Sequence, residues 1–363
     1  MLGHSTTVLP RCIHRSPEPY EVVPPMLAYV IRRVFVGVIM LIVMTLVTFV
    51  LFFASPVDAA RIACGKNCKP AQIEQTRNAL GYDKPVLVQW TDFLKGVVKG
   101  RDYPDDPELR AAAPQLVTHC PAPCFGYSQV NTKTVNELMK DAFPVSLSIS
   151  IAALVLWLFF GVLFGVIAAV KRGTLIDRGI VAISLVLYAF PAFFIGLFLL
   201  KFVAIKWELV DVPVYSPISE GGLGAWAVCL LLPGVTLAVL YMAGYVRMTR
   251  AFVLESMSED YVRTARAKGL KPRKVLVKHS MRAALTPLVT MAGLDLAGLM
   301  GGAIITETVF NYNGLGKLAL DANLTYDLPT IIGLVLLLGT FVIVANIIVD
   351  VLYAVIDPRV RVG

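Results

Sequence analysis

Charge is scarce in this chain. Asp, Glu, Lys and Arg make up 16% of its 363 residues, against about 25% in soluble domains. This excludes an ordinary water-soluble fold, because 57% of the residues are apolar and too little polar surface remains to cover them. Histidine is scarcer still: His4, His14, His119 and His279 show no metal-ligand spacing, and no metal site is expected from them. A phosphate loop is missing. The nearest stretch, Gly314-Leu315-Gly316-Lys317-Leu318, has Asn311 and Leu318 where a nucleotide-binding loop needs Gly and Ser or Thr. Residues 1–25 contain no apolar run and are broken by Pro10, Pro17, Pro19, Pro24 and Pro25, which excludes a secretory signal there. No basic stripe is interleaved with aromatics, so nucleic acid is not an expected partner. No internal repeat suggests an inverted-repeat carrier.

What is present is a series of long apolar blocks. They predict an all-α integral membrane protein with about six transmembrane helices, at 29–54, 145–170, 176–205, 225–246, 283–310 and 329–355. A helix over 29–54 reaches about 39 Å, enough to cross a hydrocarbon layer of about 30 Å with some tilt. Pro191 lies near the middle of the third block and predicts a kink there. The short basic segments (Arg32-Arg33, Lys171-Arg172, Arg247 to Arg282, Arg359 and Arg361) all fall on one side, which places both termini in the cytoplasm. The expected units are a disordered cytoplasmic arm over 1–25, a first span within 26–56, a long external loop over 57–141, a core membrane domain over 142–356, and a cytoplasmic tail over 357–363. Within the loop, Ala71–Leu80 reads as a helix stopped by Gly81, and Val86–Val98 as a second, amphipathic piece. The prolines from Pro104 to Pro123 are expected to break regular structure.

The cytoplasmic segment 251–282 is the most informative stretch. Ser258 suits a helix cap, and Glu259 and Asp260 suit a positive helix start. Tyr261, Thr264, Ala265, Arg266, Ala267 and Lys268 continue the helix, Gly269 suits a left-handed stop, and Pro272 can open a second helix. The product is a short exposed knob suited either to docking in a partner's groove or to an ordinary solvated loop.

The run EDYVRTARAKGLKPRKVLVKHSMRAALTPLV resembles the cytoplasmic signature of ABC-importer permeases of the dipeptide and oligopeptide group. Gly269 matches the signature glycine and Ala265 its second alanine. Arg263, Thr264, His279, Met281 and Arg282 depart from it. The runs MLAYVIRRV, GVLFGVIAAVKRGTLIDR, AIITETVFNYNGLGKL and VDVLYAVIDPRVR also resemble that group. The similarity extends over 26–362, and 101–125 looks like an insertion. The resemblance implies the type I ABC importer permease fold and the B-type subunit of a heteromeric permease pair. It also implies two cytoplasmic ATPase subunits, or one fused ATPase, and an external substrate-binding protein, all in the plasma (inner) membrane. On this view the chain binds no cofactor, is not itself an enzyme, and relies on ATP and Mg used by its partners. Glu259–Lys268 would be the helix that couples to the ATPase. Small peptides are the first expectation for cargo, with nickel complexes, haem or oligosaccharides as alternatives.

Two further groups stand out. Cys64 and Cys68, and Cys120 and Cys124, form C-x3-C pairs in the expected external loop, where disulfides persist. A tetrathiolate metal site and free thiols are the alternatives, and the pairing is open. Asp295 lies within an apolar block, where a charge is costly and a functional role is the default. It is a candidate for lining the pathway, for a structural partner, or, in an ion-coupled carrier, for the ion site. Glu307 is a candidate for an outer gate, for contact with the binding protein, or for a helix-end hydrogen bond.

Overall fold

The computed structural model describes residues 26–54, 58–65, 68–105, 107–112 and 114–356. The expected arm (1–25) and tail (357–363) lie outside the described residues.

Five helices are long and apolar enough to cross a membrane, or six if one bent pair counts as a single span. Span one is Met26–Ala54, span two Val135–Val170 and span four Leu231–Ser258. Span five is Pro272–Gly301, and span six Leu328–Ile356. Span three is the bent pair, Leu175–Ala189 and Ala192–Lys206, which meet at 97°. The bend falls at Pro191, whose ring cannot continue the preceding helix.

Span four sits at the centre, with half of its apolar window buried, whereas spans one and six bury only 17% of theirs. Spans two and four approach closely because two glycines allow it. A Cβ at Gly161 would lie 2.7 Å from the Tyr245 side chain, and one at Gly165 would lie 2.5 Å from Thr249. Trp157, fully buried, stacks on Tyr241 with ring centres 4.8 Å apart. Gly298 of span five is not needed for such an approach: a Cβ there would meet nothing within 4 Å.

Several boundaries differ from the sequence reading. Span two begins ten residues before the expected 145, at Val135, where Thr134 and Glu137 form a capping box. Span four begins after a break at Leu230 and runs past its two arginines to Ser258. Helical hydrogen bonding carries on past the point where the apolar run ends. The expected block 283–310 is two helices, because the span-five helix stops at Gly302 and Ile304–Val309 is separate. Between spans five and six lies a further helix, Leu315–Leu324, where a loop was expected.

The segment between spans one and two is more ordered than its prolines suggested. Helix Pro70–Ala79 precedes Gly81 at φ +69°, and helix Val86–Lys99 follows. Residues Arg101–Tyr103 pair antiparallel with Thr118–Cys120. Helix Val86–Lys99 lies on the C-terminal half of span one, where Phe93 packs on Phe49 and the Trp90 indole N–H donates to Thr45 at 3.1 Å. The same apolar cluster includes Leu328 and Ile332 of span six.

Candidate coupling site and pathway residues

The segment expected to dock forms the helix Asp260–Ala267. Glu259, in extended conformation, precedes it. Ser258 does not cap it, because span four stays helical through that residue and the Ser258 hydroxyl donates back to the Glu255 carbonyl at 2.7 Å. Gly269 adopts φ +77°, and its N–H closes on the Arg266 carbonyl at 2.9 Å. The left-handed stop is therefore where the glycine predicts it. Lys271 and Pro272 then start the span-five helix, which includes a π-helical turn at Val275–Ser280.

An apolar foot and a polar hinge hold this helix in place. Val262 and Ala265 are buried against Val275 and Leu270, and burying a valine side chain contributes about 1.5–3 kcal/mol. The hydroxyls of Tyr261 and Ser256 lie 2.9 Å apart, and Ser256 donates to the Ser280 carbonyl at 3.1 Å. The ends of spans four and five are thereby joined under the helix. Glu259, Asp260, Tyr261, Thr264, Arg266, Ala267, Lys268 and Gly269 remain exposed. Ala265, included among the coupling candidates, instead points inward as part of the foot. A second tie, which the sequence did not flag, joins span four to span three: Arg250 reaches Asp177 through two hydrogen bonds, at 2.7 and 2.8 Å.

Asp295 is partly buried on span five and accepts a hydrogen bond from the Tyr245 hydroxyl at 2.5 Å. Its partner stands on the central helix, fifty residues earlier. Gly293, close by, lets span six approach: a Cβ there would lie 2.6 Å from Val349.

Glu307 is fully buried, so its carboxylate offers no surface to an external protein. It accepts from the Ser146 hydroxyl at 2.6 Å, from the backbone N–H of Lys317 at 2.8 Å, and from that of Gly316. The Leu315 N–H in turn donates to the Ser146 oxygen at 2.7 Å. The stretch that looked like a failed phosphate loop thus wraps an anion supplied by the chain itself. Helix Leu315–Leu324 starts at this carboxylate, whose charge suits the positive helix end.

The segment between spans one and two is pinned at several places. Ser128 donates to Asp327 at 2.5 Å, and Thr330 donates to the same carboxylate at 2.7 Å. Burial pushes the Asp327 carboxyl up from its ordinary value, opposed by these donors. Asn136, at the start of span two, bonds Phe125 N–H and the Pro123 carbonyl. The disulfides are local: Cys64 pairs with Cys68, and Cys120 with Cys124. Cys229 is free and buried.

The two disulfides differ in setting. Each closes a separation of four residues, so chain entropy alone predicts about 2 kcal/mol for either. Cys120 and Cys124 are 0% and 2% exposed, and they join the end of the hairpin to the segment that Asn136 holds. Cys64 and Cys68 are only half-buried. Replacing Cys120 and Cys124 with serine should therefore lower the thermal midpoint more than the same change at Cys64 and Cys68. Mass spectrometry without reduction should show both local links. Free thiols at all four positions, or stoichiometric zinc, would refute the pairing.

Comparison with known proteins gives the same architecture. Residues 161–362 match the family described as binding-protein-dependent transport system inner membrane component, and residues 26–150 match that system's N-terminal membrane component. The chain belongs to this family. Among its relatives is the dipeptide transport system permease protein DppB of Escherichia coli, 33% identical, with 93% of this chain and 99% of that protein covered. Others are the glutathione transport system permease protein GsiC of Shigella flexneri, 34% identical over 93% and 99%, and the oligopeptide transport system permease protein AppB of Bacillus subtilis, 32% identical over 93% and 100%. Among solved structures, the inward-facing MetNI methionine ABC transporter shares the fold, with a TM-score of 0.50, 19% identity, and coverage of 61% of this chain and 97% of that one. This permease therefore has the type I ABC importer permease fold and is a multi-pass protein of the inner membrane.

Proposed function

We propose that this chain is one of the two pore-forming subunits of an ATP-driven importer of small peptides. The supporting observation is the docking helix Asp260–Ala267, which presents a polar face outward and stands on an apolar foot between spans four and five. A groove on a partner ATPase would receive that face. Closure of the ATPases would act through the Tyr261–Ser256–Ser280 hinge on both spans at once. The chain itself hydrolyses nothing; ATP and Mg belong to the partners. A second homologous permease completes the pore, and an external binding protein delivers cargo to the face that carries residues 58–134. Peptides are the cargo favoured by the names of its relatives. Proteoliposomes that hold the assembled complex should accumulate labelled di- or tripeptide when ATP and loaded binding protein are supplied. Accumulation of nickel complexes, haem or an oligosaccharide in place of peptide would overturn the cargo assignment.

Asp295 would face the translocation path in this scheme. A carboxylate at that depth must meet protein or water, and the Tyr245 hydroxyl occupies one of its oxygens, Oδ2. The other, Oδ1, would meet a peptide ammonium. In a chain with Cys12 replaced by serine, Asp295→Cys should react with a water-soluble thiol reagent in at least one nucleotide state. Transported peptide should slow that reaction. Inertness in both nucleotide-free and nucleotide-trapped complexes would make Asp295 a structural residue.

A further inference from the structure

Past the docking helix, the charge of the inner face becomes one-sided. From Tyr261 to Leu294 the chain carries eight Lys or Arg residues and no Asp or Glu. Lys271, Arg273, Lys274, Lys278 and Arg282 are all exposed, and among the described residues none of them has an ion-pair partner. Elsewhere on the inner side, Arg250 is paired with Asp177 and Arg263 with Asp260. Four of these cations, Lys271, Arg273, Lys274 and Lys278, surround one shallow hollow together with Val277, which is 61% exposed.

The depth of this cluster can be estimated from length. Span five has 30 residues, or about 45 Å of helix, whereas the hydrocarbon layer is about 30 Å thick. About ten residues are in excess, and the basic residues of the span are all at the Pro272 end. Residues 272–282 therefore lie at the depth of the headgroups, and the positive end of the helix adds to the field of the side chains. We propose that this hollow is a binding site for the phosphate of an anionic phospholipid, with Lys271, Arg273, Lys274 and Lys278 around the headgroup and Val277 against the first acyl carbons. Lysines suit the role because each is a flexible point charge that can reach a phosphate, and membrane-facing basic clusters of this size select anionic lipid. The site lies outside the docking residues 259–269 and does not depend on the cargo. A lipid held there would brace the start of span five, next to the hinge at Ser280.

The test is native mass spectrometry of the full chain released from nanodiscs that contain phosphatidylcholine and phosphatidylglycerol at a 7:3 ratio. The wild type should retain phosphatidylglycerol in preference to phosphatidylcholine. The triple variant Lys271→Gln, Lys274→Gln, Lys278→Gln should lose most of that preference, because each cation near the surface is worth about fivefold. A charge-matched control at the other end, Lys95→Gln, Lys99→Gln, Lys140→Gln, should keep it; the three lysines are exposed and distant from the hollow. Equal retention by the triple variant and the wild type overturns the proposal. So does equal loss in the control. Unchanged lipid retention with lost ATPase co-purification would also overturn it and would assign the patch to the protein interface.

Discussion

Replacing Gly269 with proline is expected to lower transport-coupled ATP hydrolysis at least tenfold while membrane insertion continues. The reason is conformational. Gly269 sits at φ +77°, and proline is confined to about −65°. Proline also lacks the N–H that closes on Arg266 at 2.9 Å. The turn must therefore open, at a cost of about 3 kcal/mol or more, and the docking helix leaves its foot on Val275. Space is not the issue, because a Cβ at 269 would meet nothing within 4 Å. Gly269→Ala should then show only the left-handed penalty of about 1–2 kcal/mol, and Gly269→Asn less still. The expected order of activity is Asn, then Ala, then Pro, read as ATP hydrolysis stimulated by loaded binding protein. Asp260→Lys separates docking from folding. That side chain is 95% exposed and, among the described residues, pairs only with Arg263, at 3.3 Å, so its reversal changes the exposed surface of the helix and little else. ATPases that still co-purify with the Asp260→Lys chain and respond to cargo would refute the coupling role.

Replacing Glu307 with leucine is expected to produce the largest loss of stability of any single change considered. The substitution leaves the Ser146 hydroxyl and the N–H groups of Gly316 and Lys317 without their acceptor. Each stranded buried group costs about 1–3 kcal/mol, so the three together cost on the order of 3–9 kcal/mol. The turn 311–318 should detach from span two. Hydrogen exchange at the amides of residues 315–317 should accelerate, and the thermal midpoint in nanodiscs should fall. Glu307→Gln should be intermediate, since it keeps one carbonyl acceptor but turns an amide N–H toward donors. Gly314→Ala tests the same contact from the other side, because a Cβ there would come within 2.4 Å of the Glu307 carboxyl carbon. Unchanged exchange at 315–317 in Glu307→Leu would show that the carboxylate does not hold this turn.

The clasp also shows where sequence reading stops. Gly314-Leu315-Gly316-Lys317 is legible only as a stretch that lacks the Gly and Ser or Thr of a phosphate loop. The anion that it wraps is not legible: its carboxylate comes from Glu307 and its hydroxyl from Ser146, 161 residues away from that glutamate. Asp295 is similar. An acid in an apolar block announces itself by its cost, but Tyr245 is identified as its partner only when spans four and five pack. Asp177 and Arg250 read as ordinary helix-end charges until the fold brings them to 2.7 Å.

The sequence by itself determined the number of apolar spans, the kink at Pro191, the stop at Gly269 and the family. Each of these depends on local quantities: the length of an apolar run, the ring of a proline, the missing Cβ of a glycine, a contiguous motif. The tertiary structure decided where the helices end, which face of helix Asp260–Ala267 is free, which cysteines pair, and which buried acids are clasped. Those outcomes depend on groups distant in sequence, and in a low-dielectric interior a polar group must find its partner wherever packing places one.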